Sequence, residues 1–286
     1  MEGTVIRPEE LRRLAARAGV RVELQERDYV LGWFLLGLAQ TPALAPVLVF
    51  KGGTALRKMY FPDYRFSEDL DFTVAQPVDE RALQTGIEAV CHAVYQASGI
   101  TMQPALWRQT RHIPDEEAYQ ARIAYIGPLG RQSHQPPRIT LDLTRYERLV
   151  LPPVRRTIHH PYSDAPEEPL QLPTYLLEEM LGEKLRALLR RCYPRDLYDV
   201  WYLLAHQGQS LNRLTLLRAL EEKCRYKGYT FSSPEDFLAR ARRENMEATW
   251  VASLRPLTPS LPDYGTVMKD LSSLLPDWLG ETPDAG

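Results

Sequence analysis

The spacing of apolar and polar residues divides the chain into a front part that contains strands and a rear part made of helices. In the front part, helical periodicity or turn signals predict helices over 9–18, 22–39, 54–60 and 79–98. Short apolar or alternating runs predict strands over 47–50, 70–74, 121–126 and 138–143. The rear part shows helical patterns over 174–192, 195–206, 211–224, 234–247 and about 263–275. A few strands followed by a run of helices is typical of an α+β fold.

Between these parts lies a proline-rich segment, residues 151–173, with no periodic pattern. We interpret it as a linker or crossover. The predicted organisation is an α/β domain over 1–150 that begins with helices, the segment 151–173, and a helical domain over 174–286.

Composition narrows the class of protein further. The chain has 286 residues, 25% of them charged, and a net charge of −2, so it lacks the strongly basic balance of many nucleic-acid binders. Its longest apolar run, 30–39, is too short to span a membrane, and the first residues do not form a secretory signal. Cytoplasmic localisation is therefore expected. Three widely separated cysteines, at 91, 192 and 224, are expected to be ordinary buried thiols.

Two aspartates give the first chemical signal. Asp69 and Asp71 are two residues apart in a predicted strand, which places both carboxylates on one face. Adjacent carboxylates repel each other unless a cation lies between them, and Mg²⁺ prefers carboxylate oxygens and is commonly shared with substrate phosphates. The alternative is an ordinary solvated polar face, because two aspartates at this spacing are common by chance.

A glycine-containing turn gives the second signal. Gly52, Gly53 and Thr54 lie between a predicted strand and a predicted helix. Glycines allow close approach of a ligand, helix N–H groups favour phosphate, and the threonine hydroxyl adds a donor. The alternative is a plain strand-to-helix turn, and the phosphate-binding pattern GxxxxGK[ST] is absent.

Together the turn and the acidic strand supply both halves of a triphosphate site, one for phosphates and one for metal. Chemistry that uses two metal ions usually needs a third carboxylate from a neighbouring strand, and Asp142 lies inside the apolar strand 138–143. An unpaired charge there would be costly unless it had a function. An edge-strand aspartate that faces water is an equally good interpretation.

The motifs KGGTAL and RFSEDLDF resemble those of the AbiEii/MenT nucleotidyltransferase toxins, a group within the DNA polymerase β-like superfamily. The resemblance continues in the rear part, where EKL and RDLYDV are similar to a further motif pair of that family. One departure is that the interval between the turn and the acidic strand is slightly longer than the usual form, with threonine in place of serine. The resemblance implies a polymerase β-like domain with a small mixed sheet, followed by a helical domain.

The resemblance also implies a function. Such proteins are toxins of bacterial toxin–antitoxin systems that transfer NMP from an NTP, with Mg²⁺ or Mn²⁺ (EC 2.7.7.-), to the 3′ end of tRNA or another RNA acceptor. The partner would be a separately encoded antitoxin. Expected metal ligands are Asp69, Asp71 and Asp142; expected NTP-binding residues are Lys51, Gly52, Gly53, Thr54, Arg65 and Lys184. Expected catalytic residues are Asp69, Asp71, Lys184 and one or both of Asp196 and Asp199.

Alternatives remain for the residues of the rear part. Without the resemblance, Lys184 on its amphipathic helix is better explained as a surface lysine. Arg195 is equally well explained as the ion-pair partner of a neighbouring aspartate. A basic run, with members at 186, 190, 191, 195, 240, 242 and 243, would form either a tRNA-facing surface or a solvated helix face.

Alternatives remain for the function as well. NMP transfer to a protein side chain would use the same donor site. A non-catalytic NTP-dependent binding module would require a degraded site, and the acidic strand, Thr54 and Lys184 are intact in this sequence.

Overall fold

The computed structural model describes residues 6–111, 117–131, 135–145, 147–243 and 246–280. The chain divides into two compact units. The first unit comprises residues 1–149 and 153–175, and the second comprises residues 150–152 and 176–286.

The first unit is built on a mixed sheet. Its strands, in chain order, are β1 Leu48–Lys51, β2 Asp69–Val74, β3 Thr101–Arg111, β4 Glu117–Ile126, β5 Arg138–Thr144, β6 Val154–Thr157 and β7 Gln171–Thr174. Within the described residues they are ordered β3-β4-β5-β2-β1-β7-β6. β2 pairs with β5 in parallel and β1 with β7 in parallel, and the remaining neighbours are antiparallel. β2 therefore lies in the interior of the sheet, where both of its edges are hydrogen-bonded.

The central strands have one apolar and one polar face. Leu70 and Phe72 of β2, and Leu141 and Leu143 of β5, are buried, whereas the residues between them are only partly buried. This alternation follows from the period of two along a strand. Each buried Leu or Phe side chain contributes roughly 1.5–3 kcal/mol relative to an exposed one.

Helices complete the core of the first unit. They are α1 Pro8–Ala18, α2 Val22–Ala39, α3 Gly52–Ala55 and α4 Glu80–Ser98. α4 packs against β3 and α2, and it begins where the Asp79 side chain accepts a 2.7 Å hydrogen bond from the backbone N–H of Ala82. The predictions of α1, from Pro8 and Gly19, of α2, as a mostly buried helix, and of α4, from its apolar spacing, are confirmed.

A π-helical segment, Leu56–Tyr60, continues α3 in place of the ordinary helix that the sequence predicts over 54–60. The backbone N–H of Phe61 donates to the carbonyl of Leu56 at 2.8 Å, which is the i to i+5 bond of this geometry. π-helical turns are rare and frequently lie next to functional sites.

Three strands lie where the sequence pattern predicts none. β3 at one edge of the sheet contains Pro104 and exposed polar residues. β6 lies within the proline-rich segment 151–173, and β7 begins in that segment and ends at Thr174. Proline and solvent exposure remove the apolar alternation by which strands are recognised, and both are tolerated near sheet edges.

The second unit is helical. Its helices are α5 Leu177–Arg190, α6 Pro194–Gln207, α7 Arg213–Tyr226, α8 Asp236–Arg243, α9 Met246–Leu254 and α10 Tyr264–Leu279. α5 is central and packs against α6, α7 and α8. Gly182 permits the close approach of α7, because a Cβ there would lie 3.2 Å from the backbone nitrogen of Leu220. α8 ends earlier than the predicted helix 234–247, and α9 was not predicted.

The three cysteines are buried and free, as the sequence predicts. Within the described parts of the chain, every helix is too short or too polar to cross a membrane.

Candidate functional site

The three predicted metal ligands lie on one face of the sheet. Asp71 of β2 is directly opposite Asp142 of β5, and Asp69 is two residues along β2 on the same side. All three are partly buried, and their strand neighbours on the other face belong to the core. The prediction that Asp69 and Asp71 share a face is confirmed, and Asp142 is placed next to them because β5 is the neighbour of β2.

A buried cation lies on the same face. Lys51 at the end of β1 is directly opposite Asp71, and its side chain is buried. Its Nζ lies 5.7 Å from the centre of the Tyr175 ring, whose hydroxyl shares a 2.6 Å hydrogen bond with Thr73 of β2. A lysine is rarely buried without compensating charge or ligand, so this position points to an anionic environment.

The backbone of the turn lies directly against the acidic strand. Gly52 has a φ of 80°, and a Cβ at this residue would overlap the Oδ2 of Asp71 and lie 3.0 Å from its Cγ. A Cβ at Gly53 would lie 2.8 Å from a terminal guanidinium nitrogen of Arg65. The chain therefore requires glycine at position 52 on two counts, the backbone conformation and the contact with a site carboxylate.

Thr54 connects the turn to the acidic strand. It is buried, and its hydroxyl donates a short hydrogen bond to the backbone carbonyl of Asp69. The hydroxyl hydrogen is directed at this carbonyl, so the side chain fixes the position of the turn relative to Asp69. The groups of the turn that could bind a phosphate are therefore the backbone N–H groups at the start of α3.

Arg65 is a second buried cation beside the turn. Its guanidinium carbon lies 5.4 Å from the centre of the Tyr64 ring, and Nη1 donates to the backbone carbonyl of Phe66 at 3.1 Å. Together with Lys51 it places two positive charges beside three carboxylates. This combination suits a ligand that carries both phosphates and a divalent cation.

A buried ion-pair network, not predicted from the sequence, anchors the segment that follows the turn. Asp28 of α2 accepts from Lys58 Nζ at 2.7 Å, from Arg57 Nε at 2.8 Å and from the Tyr162 hydroxyl at 2.7 Å. Burial alone would raise the pKa of Asp28, but the charges of Lys58 and Arg57 and these hydrogen bonds hold it well below its ordinary value. Asp28 ends the polar run 25–28 of α2, so the sequence gives no local signal that it is buried.

Three predicted site residues, Lys184, Asp196 and Asp199, lie close together in the second unit. Lys184 Nζ of α5 lies 2.9 Å from a carboxylate oxygen of Asp196 and 2.9 Å from one of Asp199 on α6. Arg191 Nε donates to the other oxygen of Asp196 at 2.9 Å. Burial would raise the pKa of Asp196, but Lys184 and Arg191 outweigh it and keep that pKa below its usual value.

These contacts revise one interpretation from the sequence. Lys184 is partly buried and held by two carboxylates, so it is not a freely solvated surface lysine. Asp196 is bound by both Lys184 and Arg191.

A second buried ion pair in this unit was also missed. Lys223 Nζ of α7 lies 3.1 Å from Glu179 Oε1 and 3.6 Å from Glu183 Oε2. Glu179 also accepts from the backbone N–H groups of Val150 and Leu151, at 2.9 and 2.7 Å. A buried pair of this kind fixes α5 against α7, and the same glutamate holds the backbone of residues 150 and 151.

The arginines of the predicted basic run are mostly engaged in contacts. Arg186 is buried, Arg191 binds Asp196, and Arg240 donates to the carbonyl of Leu189 at 3.0 Å. Arg242 pairs with Glu235 at 2.5 Å, and the side chain of Arg243 lies outside the described residues. These contacts weaken the interpretation of this run as a nucleic-acid surface.

The carboxylates do not form a preformed metal cage. Across the described ranges, no group of three or more His, Cys, Asp or Glu side chains is positioned to hold a metal ion. Asp142 Oδ1 instead accepts a 2.9 Å hydrogen bond from Gln120 Nε2 of β4. Mg²⁺ in phosphate-transfer sites commonly uses one or two carboxylates and completes its shell with water and substrate phosphates, so Asp69 and Asp71 fit that role with a nucleotide present.

Comparison with known proteins extends this description. The family described as "Nucleotidyl transferase AbiEii toxin, Type IV TA system" matches residues 33–278. Among solved structures, the chain is similar to MenT4, a nucleotidyltransferase toxin from Mycobacterium tuberculosis H37Rv, with a TM-score of 0.68 and 22% identity over 98% of this chain and 91% of that one. The structural likeness confirms the predicted fold class. A search of curated proteins found no match.

Proposed function

The chain belongs to the AbiEii family of nucleotidyltransferase toxins of type IV toxin–antitoxin systems, and from that premise we propose that it transfers NMP from an NTP to the 3′-hydroxyl of an RNA, specifically the 3′ end of tRNA. Such a transfer would block aminoacylation and hence translation. The observation that carries the proposal is the row of Lys51, Asp71 and Asp142 across three neighbouring strands, with the Gly52 backbone packed against Asp71.

The residues of the first unit have distinct tasks in this proposal. The backbone N–H groups of Gly53 and Thr54 bind phosphate oxygens of the donor, and the Lys51 and Arg65 side chains offset its negative charge. Thr54 holds the turn at a fixed distance from Asp69 through its hydrogen bond to the backbone. Because the turn and the carboxylates are parts of one packed sheet, the donor is positioned without rearrangement of either.

Asp69 and Asp71 would hold Mg²⁺, or Mn²⁺ in its place, with Asp142 beside them. When bound, the cation supplies positive charge for the triphosphate and lowers the pKa of the acceptor hydroxyl. In the transfer, the acceptor oxygen forms a bond to the α-phosphorus, the bond to the β-phosphate breaks, and pyrophosphate leaves. The hydroxyl proton passes to the carboxylate of Asp142 at Oδ2, since Oδ1 already accepts from Gln120.

In the second unit, we assign Lys184 to phosphate binding and Asp196 and Asp199 to its support, following the family resemblance. Both aspartates are buried and lie 2.9 Å from the ammonium group, so they fix its position.

The partner implied by the family is an antitoxin, which we propose is encoded separately. Expression of the chain alone should arrest bacterial growth, and co-expression of the antitoxin should relieve the arrest. The Asp69→Asn variant should not arrest growth, because its carboxylate charge is lost while its size is kept.

Labelling of RNA tests the activity. We expect the wild-type protein with Mg²⁺ to transfer label from an α-³²P-NTP to tRNA in total RNA, and Asp69→Asn and Asp71→Asn to abolish transfer. The matched control is Asp63→Asn, since Asp63 is an exposed carboxylate in the turn before the acidic strand. Circular dichroism and thermal melting establish that each variant is folded. Label on protein in place of RNA would contradict the proposed acceptor, and transfer by the folded double variant would contradict the proposed site.

A further inference from the structure

The face of the sheet that carries the carboxylates continues onto β4 and β3. Gln120 of β4 is directly opposite Asp142, and Arg108 of β3 is directly opposite Gln120. Arg108 Nη2 donates to Gln120 Oε1 at 3.1 Å, and Gln120 in turn donates to Asp142. The polar row that begins at Lys51 therefore extends across five neighbouring strands of one face.

A diagonal line of arginines crosses this extension. Arg122 of β4 is directly opposite Thr140 of β5, which is itself opposite Asp69. Arg108 is therefore the diagonal neighbour of Arg122 on one side, and Arg138 of β5 is its diagonal neighbour on the other. Diagonal neighbours in a sheet are separated by about 7–8 Å. Two strand spacings, about 10 Å, separate the backbone of Arg122 from that of Asp69.

The three side chains are available to a ligand. Arg108, Arg122 and Arg138 are all exposed. In the described ranges none of them is paired with a carboxylate, and Arg108 donates to the neutral amide of Gln120. The arginines of the second unit differ, because Arg191 and Arg242 are paired with acidic side chains. Unpaired guanidinium groups on a sheet face have strong affinity for phosphate.

We propose that this arginine diagonal, defined as Arg108, Arg122 and Arg138, binds successive phosphates of the single-stranded 3′ end of the acceptor RNA, on the 5′ side of the reacting hydroxyl. The inference rests on the proposed function, since it names the surface that the acceptor uses. The repeated step of the diagonal is close to the separation of successive phosphates in an extended single strand. A protein acceptor has no such regular series of charges, and a rigid duplex does not follow a flat diagonal into a carboxylate site.

The test uses the full chain and two variants, each made by replacing arginine with glutamine. The triple variant R108Q/R122Q/R138Q removes the arginine diagonal. The control R81Q removes an exposed arginine of α4, outside this face. Binding of a 5′-labelled single-stranded RNA with a free 3′-hydroxyl, and of a blunt RNA duplex, is measured over a range of salt concentrations, and binding of Mg²⁺–NTP is measured separately.

We expect the triple variant to bind single-stranded RNA about 10-fold or more weakly and to lose about 2 from the slope of log affinity against log salt, since each phosphate contact contributes about 0.7. NTP affinity and kcat at saturating RNA should stay within about twofold of wild type, while KM for RNA rises. R81Q should resemble wild type.

Other outcomes overturn the inference. An unchanged affinity and salt slope, an equal loss in R81Q, or an equal loss for the blunt duplex would each refute it. Failure of the proposed function gives a different pattern. In that case wild type binds single-stranded RNA, the triple variant does not, and wild type transfers no NMP. This result would support the arginine diagonal and refute the transferase activity.

Discussion

Replacement of Gly52 by alanine tests how the turn controls the site. The residue has a φ of 80°, and an added Cβ would overlap the Oδ2 of Asp71. Alanine at this position therefore strains the backbone and also displaces a carboxylate that the proposal assigns to metal binding. The matched control is Gly130→Ala, because Gly130 has a φ of 61° and a Cβ there would meet nothing within 4 Å.

The two effects have different magnitudes. Positive φ costs a residue other than glycine about 1–2 kcal/mol, and each 1 kcal/mol lowers Tm by about 2–4 °C in a protein of this size class. Both variants should lose about 1–2 kcal/mol of unfolding free energy for this reason. Displacement of a catalytic group by about 1 Å costs about 100-fold in rate. Only Gly52→Ala should suffer that further loss.

The assay is NMP transfer to tRNA at saturating NTP, with thermal melting of each variant alongside. We expect Gly130→Ala to melt lower with kcat within about twofold of wild type, and Gly52→Ala to melt lower with kcat reduced about 100-fold. If Gly52→Ala were destabilised like Gly130→Ala but transferred NMP at the wild-type rate, the contact between Gly52 and Asp71 would have no part in catalysis.

Three further substitutions test the contacts around the site. Thr54→Val removes the hydrogen bond to the Asp69 carbonyl, so it should cost about 1 kcal/mol of stability and much of the transfer rate. Thr54→Ser keeps the hydroxyl and should keep both the stability and the rate. Equal activity of the two variants would refute the role of the hydroxyl. Asp28→Asn leaves a buried lysine unpaired and should cost about 3–5 kcal/mol. Because the pKa of Asp28 is held below its unfolded value, the stability difference from wild type should be full above about pH 4 and shrink as pH falls below it; a difference unchanged between pH 6 and pH 3 would refute the charge as its source. Asp196→Asn should loosen Lys184 and lower transfer by at least about 10-fold, and wild-type kinetics would show that this contact is only structural.

Local periodicity was sufficient to predict the acidic strand. Asp69 and Asp71 alternate with Leu70 and Phe72, and the structure places the two pairs on opposite faces. The position of Asp142 was harder to predict, because its place beside Asp71 depends on β5 being the parallel neighbour of β2. That pairing is non-local and leaves no local pattern in the sequence.

The missed features share a physical cause. β3 carries Pro104 and exposed polar residues, so it has no apolar alternation, yet it forms the edge that bears Arg108. The Asp28 network joins residues that are distant in sequence, and only tertiary packing brings Tyr162 to Asp28. Polar groups that satisfy one another inside a core cannot be distinguished from surface groups by composition alone.

The central claim is that the carboxylates of the acidic strand catalyse NMP transfer to RNA 3′ ends, and 3′-end sequencing of tRNA tests it most directly. Total tRNA is incubated with Mg²⁺ and each NTP in turn, with wild-type protein, Asp63→Asn or Asp69→Asn. The account predicts added nucleotides at tRNA 3′ ends with wild type and Asp63→Asn, and unmodified ends with Asp69→Asn. Unmodified ends with the folded, growth-arresting wild-type protein under every NTP, or equal extension by Asp69→Asn, would contradict it.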